Sequence, residues 1–140
     1  MEANDSNIFG GGQALVQIIF GEPASKANSR KVVTIGGMPR VIKSSKALAY
    51  SESFRKQAVP ISPLIETDVR VTIKIFYASR RPDLDESLIL DLLQGVFYVN
   101  DRQVKEKHIY WGLDKDCPRA EIVVEVLPVE QKKTRTGRVN

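Results

Sequence analysis

Val69-Arg70-Val71-Thr72-Ile73-Lys74-Ile75 alternates apolar and polar side chains, the period of a strand that buries one face. It runs straight into Ser79 and then Arg80-Arg81-Pro82-Asp83-Leu84-Asp85. Carboxylates two positions apart lie on one side of an extended backbone but about 200° apart around a helix, so Asp83 and Asp85 can act together only if Asp83 stands on strand or loop. Pro82 biases Arg81 toward extended geometry. Asp85 is an N-cap candidate for a helix predicted over Glu86 to Gln94, with Gly95 just past its end. Asp101 returns in a turn after that helix, within reach of the same spot.

A fold that gathers three carboxylates needs a reason. At about 4 Å two like charges repel by roughly 1 kcal/mol in water and roughly 4 at an effective dielectric of 20, so an acidic cluster flanked by bases implies a cation. Hard oxygen donors with no nearby Cys or His pair favour Mg²⁺, or Mn²⁺, over Zn²⁺. Such an ion, keeping waters and taking phosphate oxygens, suits phosphodiester hydrolysis. An Asp-x-Asp pair on its own also occurs as a helix cap beside a solvated acid.

Outward from this stretch the pattern reads strand, hairpin, helix, strand, helix, strand, strand. Ala14 to Phe20 is an apolar run between glycines, and Lys31 to Ile35 and Arg40 to Lys43 flank the hairpin signal Gly36-Gly37. Ser44 or Ser45 caps a helix carrying Leu48, Ala49, Phe54 and Ala58, which Pro60 stops. Ala120, Ile122, Val124 and Val126 mark a last alternating strand. The expected fold is α+β (mixed α/β): one small domain with a mixed sheet of about four to six strands and two helices. It spans residues 13–127, between a flexible N-terminal segment, 1–12, and a basic flexible tail, 128–140.

With 140 residues and 42% hydrophobic content the chain supports one modest core. No apolar run approaches a membrane span, and Met1 to Phe9 carries Glu2 and Asp5 where a leader has bases, so neither leader nor anchor is expected. A lone Cys117 fits a reducing cytoplasm. The net charge of +4 conceals a partition: residues 21–81 hold 12 Lys/Arg against 4 acids, whereas residues 82–127 hold 5 against 10. A basic surface to neutralise phosphates beside an acidic one to hold ions is what a metal nuclease needs. Lys26, Arg30, Lys31, Arg40, Lys43 and Lys46, around the hairpin and the helix start, are the expected phosphate contacts, joined by Lys74, Arg81, Lys105 and Lys107. Lys105, Lys107 and Trp111 share a strand face, where Trp111 is a core or interface residue or a platform for an exposed base. His108, the only histidine, reads as a surface or packing residue. Asp91 lies about 240° around the helix from Asp85, which counts against a shared ion.

Gly21-Glu22-Pro23 with Lys26, Lys43-Ser44-Ser45-Lys46 leading to Tyr50, Arg81-Pro82-Asp83-Leu84-Asp85, Gln94-Gly95-Val96 and Asn100-Asp101-Arg102-Gln103-Val104 occur in that order. In this the chain resembles the RusA family of Holliday-junction resolvases, often carried by phages and prophages, over residues 14 to 127. The resemblance implies that Asp83, Asp85 and Asp101 take the places of the family's three metal-binding catalytic aspartates. It implies a Mg²⁺-dependent endonuclease that resolves four-way junctions in recombination and repair by paired symmetric nicks, working as a homodimer that matches the junction's two-fold symmetry. One departure stands out. Where the family places a Lys four residues after the second aspartate this chain has Ile89, and the helix is shorter than the family's. Lys74 and Arg81 are the nearest substitutes by sequence. The alternatives are a non-catalytic DNA-binding protein on the same fold, and a metal nuclease acting on flaps or other branched DNA.

Overall fold

The computed structural model describes residues 14–25 and 30–128. The N-terminal segment, Lys26 and the tail from Val129 lie outside the described residues. Seven-residue strand β1 (Ala14–Phe20) is followed by the hairpin strands β2 (Arg30–Ile35) and β3 (Met38–Lys43) and by helix α1 (Ser45–Gln57). Then come β4 (Val69–Tyr77), α2 (Ser87–Leu92), a 3₁₀ turn at Asp101–Gln103, β5 (Val104–Leu113) and β6 (Arg119–Val126). The predicted elements form in the predicted order, as a small α+β domain.

Alternation decides the core. Val69, Val71, Ile73, Ile75 and Tyr77 of β4 turn inward and are buried, as are Ala120, Ile122 and Val124 of β6 and Ile19 of β1. Each such Val or Ile contributes about 1.5–3 kcal/mol by leaving water. Ala47, Tyr50 and Phe54 of α1 and Leu88, Ile89 and Leu92 of α2 complete this core, so the helices cover one face of the sheet. Phe97 and Tyr98 are buried in the same core. Among the described residues no helix is long and apolar enough to cross a membrane.

The sheet runs β1-β6-β4-β5; β4 pairs antiparallel with β6 and parallel with β5. A parallel pair cannot be closed by a tight turn, so a crossover must carry the chain back along the sheet. Residues 78–103 are that crossover, with α2 in the middle. The Asp83–Asp85 stretch therefore leaves the carboxyl end of β4, and Asp101 enters the amino end of β5. The hairpin forms a separate two-stranded sheet. Its turn is Gly36-Gly37, with φ of 61° and 81°, a conformation in which glycine carries no Cβ penalty.

Both helix starts are set by local hydrogen bonds. Ser44 caps α1, its Oγ accepting from Ala47 N at 3.2 Å. The cap of α2 is Glu86 rather than Asp85, and the helix ends at Leu92 instead of Gln94. Asp85 still satisfies an amide, since its Oδ1 accepts from Ser87 N at 2.9 Å, a side-chain turn that competes with the helix for its first residue. Gly95, at φ 86°, breaks the chain direction as expected.

Candidate active site

Tyr77, the last residue of β4, builds the Asp-Leu-Asp loop. Its hydroxyl donates to Asp83 O at 3.1 Å and accepts from Asp85 N at 3.2 Å, closing one phenol across both aspartates. Burial, before any other influence, pushes that phenol above its ordinary range, so it remains a donor at neutral pH. Trp111 stacks on Tyr77 with centroids 6.0 Å apart and donates from Nε1 to Pro82 O at 3.3 Å. Glu22 reaches over from the segment after β1, its Oε2 accepting from Ala78 N at 2.9 Å. Trp111 thus supports the loop from the half-buried layer beneath it.

Asp101 is positioned by two glutamines. Gln94 Oε1 accepts from Asp101 N at 3.1 Å. Gln103 Oε1 accepts from Val99 N and Asn100 N, while its Nε2 donates to Ile65 O and Thr67 O at 2.8 and 2.7 Å. Asn100 and Gln103 form a reciprocal capping box around the 3₁₀ turn. This gives Gln103, the last residue of Asp-x-Gln, a physical role: it ties the Asp101 turn to the 65–67 segment. Tyr77, Gln94 and Gln103 carry the loop and the turn, and reading for charged residues passes over all three. A tyrosine closing a strand just before an Asp pair was the available signal for the first.

Two clefts hold the acidic residues. Asp83 lines one with Glu22, Ser25, Lys46, Ser79 and Arg81. Asp101 lines the other, about 590 Å³ in volume, with Asp91, Arg30, Lys43 and Ser87. Asp85 lines neither cleft, and its Oδ1 accepts from Ser87 N. Among the described residues no three acidic, His or Cys side chains stand close enough to hold one ion. The topology explains the spacing: the Asp pair and Asp101 start from opposite ends of parallel neighbours. The structure does bring Asp91 against Asp101. Loss of solvent, then the neighbouring Asp101 carboxyl, push Asp91 above the usual carboxylate range, while Lys43 and Arg30 pull it down. Asp85 lies outside the helix, so the 240° separation does not apply, and the neighbour of Asp91 is Asp101.

The predicted cations divide. Arg30 and Lys43 face each other across the hairpin root and line the Asp91–Asp101 cleft, and Lys46 and Arg81 line the Asp83 cleft. Lys31 and Arg40 lie on the opposite hairpin face. Lys107 Nζ bonds Glu86 Oε2 at 2.6 Å. Lys105 falls at the register shift where β5 enters the sheet, so it does not share the regular alternation of Lys107 and Trp111. Lys74 is not brought to the acids. It lies on the sheet face away from the helices, its Nζ 4.9 Å over the Phe76 ring, because even positions of β4 turn away from the core. Ile89 is fully buried: with the helix this short, the position that carries the family's Lys points into the core.

The donor chemistry suits a hard cation in pairs of oxygens. Asp91 and Asp101 line the same cleft, and the Asp101 carboxyl helps to hold Asp91 above the usual carboxylate range; neighbouring carboxyls of this kind favour a proton or a cation beside them. No curated protein matches the chain. The family described as endodeoxyribonuclease RusA matches residues 21–125, which takes in the Glu22 segment, the hairpin, both clefts and the central strands. The chain belongs to the RusA endodeoxyribonuclease family, the Holliday-junction-resolving nucleases.

Proposed function

We propose that this chain cuts four-way DNA junctions with Mg²⁺, Mn²⁺ serving as a substitute, and that Asp83, Asp85 and Asp101 carry the reaction with Asp91 beside Asp101. RusA-family nucleases are typically metal-dependent and act on branched DNA. The observation that carries the residue assignment is the Tyr77 clamp. A fully buried tyrosine spends its hydroxyl on the backbone at both aspartates, which fixes the chain that carries their side chains.

When bound, the divalent ion supplies Lewis-acid activation of water and charge stabilisation at the leaving oxygen. The chain's own residues do the rest. Asp83, Asp85 and Asp101 would present oxygens to the ion, with the Asp91 carboxyl beside Asp101 in the same cleft. Arg81 stands in the Asp83 cleft and meets the scissile phosphate in place of the missing lysine. Arg30, Lys43 and Lys46 hold the flanking phosphates at the two cleft rims. The protein works as a C2 homodimer in the cytoplasm, because opposed nicks in a two-fold substrate require two sites. Exposed Val16, Ile18 and Phe20, in one row on edge strand β1, offer apolar surface for the second copy.

The test is direct. Purified protein is incubated with labelled four-way junction and with linear duplex, in Mg²⁺ and in chelator. Paired nicks in opposed strands, in the junction and in Mg²⁺ only, support the proposal. Unchanged cutting by Asp101→Asn would remove that residue from the site. Loss of cutting in Arg81→Ala with junction affinity retained would support its role at the phosphate.

A further inference from the structure

The hairpin exposes more apolar surface than a two-stranded sheet should. Val32, Ile35, Met38, Val41 and Ile42 are all solvent-exposed, with Ile35 at 53% and Met38 at 61%. A lone hairpin is marginal in water, and burying these side chains against the body would have stabilised it. Instead it stands outside the four-stranded sheet. Ile35 pairs with Met38 directly at the Gly36-Gly37 turn, so both project from one face of the tip. Behind that apolar pair every charge is positive: Arg30, Lys31, Arg40, Lys43 and then Lys46, with no Asp or Glu anywhere from residue 30 to 46.

A basic shaft with an apolar tip matches a partner that offers phosphates along its flanks and apolar faces within. Nucleic acid does this, since bases stack inside a phosphate envelope and apolar side chains enter between loosened base steps. A protein partner would have to supply acids to meet the shaft. The shaft is also continuous with the Asp91–Asp101 cleft, which Arg30 and Lys43 line at its root. Six-residue strands place the tip about 17 Å beyond that root. Gly36 and Gly37 keep the turn narrow and stand in the open, where a Cβ built on either would meet no other residue within 4 Å.

We propose that the Ile35-Gly36-Gly37-Met38 tip is a wedge that enters the base stack at the branch point, while Lys31 and Arg40 hold the phosphates beside it. This rests on the branched-DNA reading above and makes the hairpin the part that tells a branch from plain duplex. Unstacked bases at a branch accept the wedge, whereas a continuous duplex must first be opened.

The test uses the full chain in chelator, with 2-aminopurine placed at the branch point of a four-way junction and at the same sequence position in a linear duplex. Wild type raises the junction fluorescence and not the duplex fluorescence. Ile35→Ser/Met38→Ser loses the rise and lowers junction affinity about tenfold more than duplex affinity, the scale of one lost stacking contact. Ile35→Leu/Met38→Leu keeps both. A wild type with no rise, a serine variant that retains the rise, or equal losses on junction and duplex would each overturn the wedge. So would a change in sedimentation of the serine variant, which would assign the tip to a protein interface. If wild type shows the rise yet never nicks in Mg²⁺, the catalytic proposal fails and the wedge stands.

Discussion

The Asp-Leu-Asp loop and the β2–β3 hairpin are both short connections in a basic protein, yet they are built in opposite ways. The loop hangs from a fully buried tyrosine, a stacked tryptophan and a glutamate, with its backbone groups at Asp83, Asp85 and Pro82 bonded to side chains. The hairpin has its own ladder and little else, and its apolar residues face solvent. Chemistry on a phosphate does not tolerate small errors in position, about 1 Å costing as much as 10²-fold, so groups that react need support from the core. Groups that recognise a deformable substrate do not, and gain from reach. Damage to the loop is therefore expected to appear in the cleavage step, and damage to the hairpin in binding.

The largest effect is expected at the acids. Asp83→Asn, Asp85→Asn and Asp101→Asn each lower the single-turnover cleavage rate by about 10³-fold or more while junction affinity holds or improves, because each removes an anionic oxygen donor and relieves repulsion toward phosphate. Any of the three that cuts normally breaks the comparison at that residue.

Ile89→Lys separates position from charge. Supplying the family's lysine on this shortened helix places an ammonium in the core, and the expected outcome is destabilisation by about 3 kcal/mol or more, read from urea unfolding, with no gain in cleavage rate. A stable Ile89→Lys protein that cuts faster would show that the helix can rotate its lysine into the site.

Tyr77→Phe deletes the clamp and little volume. Two hydrogen bonds go, each contributing about 1 kcal/mol net, so stability falls modestly while the single-turnover rate drops about tenfold or more from loosened aspartates. A stability loss with an unchanged rate would reduce Tyr77 to a packing residue.

On the hairpin, charge removal changes the salt dependence of binding. If about five phosphates are neutralised, the slope of log K against log salt is near −4.5, and Arg40→Ala moves it toward zero by about 0.9. A flat salt response in wild type would mean that the basic surface does not meet DNA.

The smallest effect lies at Asp91. Its carboxyl is raised in the folded protein, so the native state binds more protons than the unfolded chain between the two pKa values, and stability falls as pH rises through that window. Asp91→Asn in chelator should melt slightly above wild type at pH 8, with the difference fading toward pH 4. Added Mg²⁺ should raise the wild-type melting temperature more than that of the variant. Equal shifts would separate Asp91 from the ion.

Much of this was readable in the order of residues. Alternation at Val69 to Ile75 fixed which side chains of β4 are buried, because a strand has no choice but to place neighbours on opposite faces. Gly36-Gly37 announced the hairpin and Ser44 the start of α1. Each is a local signal, settled within a few residues. What only the tertiary structure decided is non-local. The parallel pairing of β4 with β5 stretches the crossover and puts Asp83 and Asp101 in separate clefts. Packing of a shortened α2 turns Ile89 inward. Asp91 meets Asp101, and Tyr77 meets two aspartates, because chain reversal brought them together; no spacing rule carries that information, since it depends on which face of which strand each helix covers.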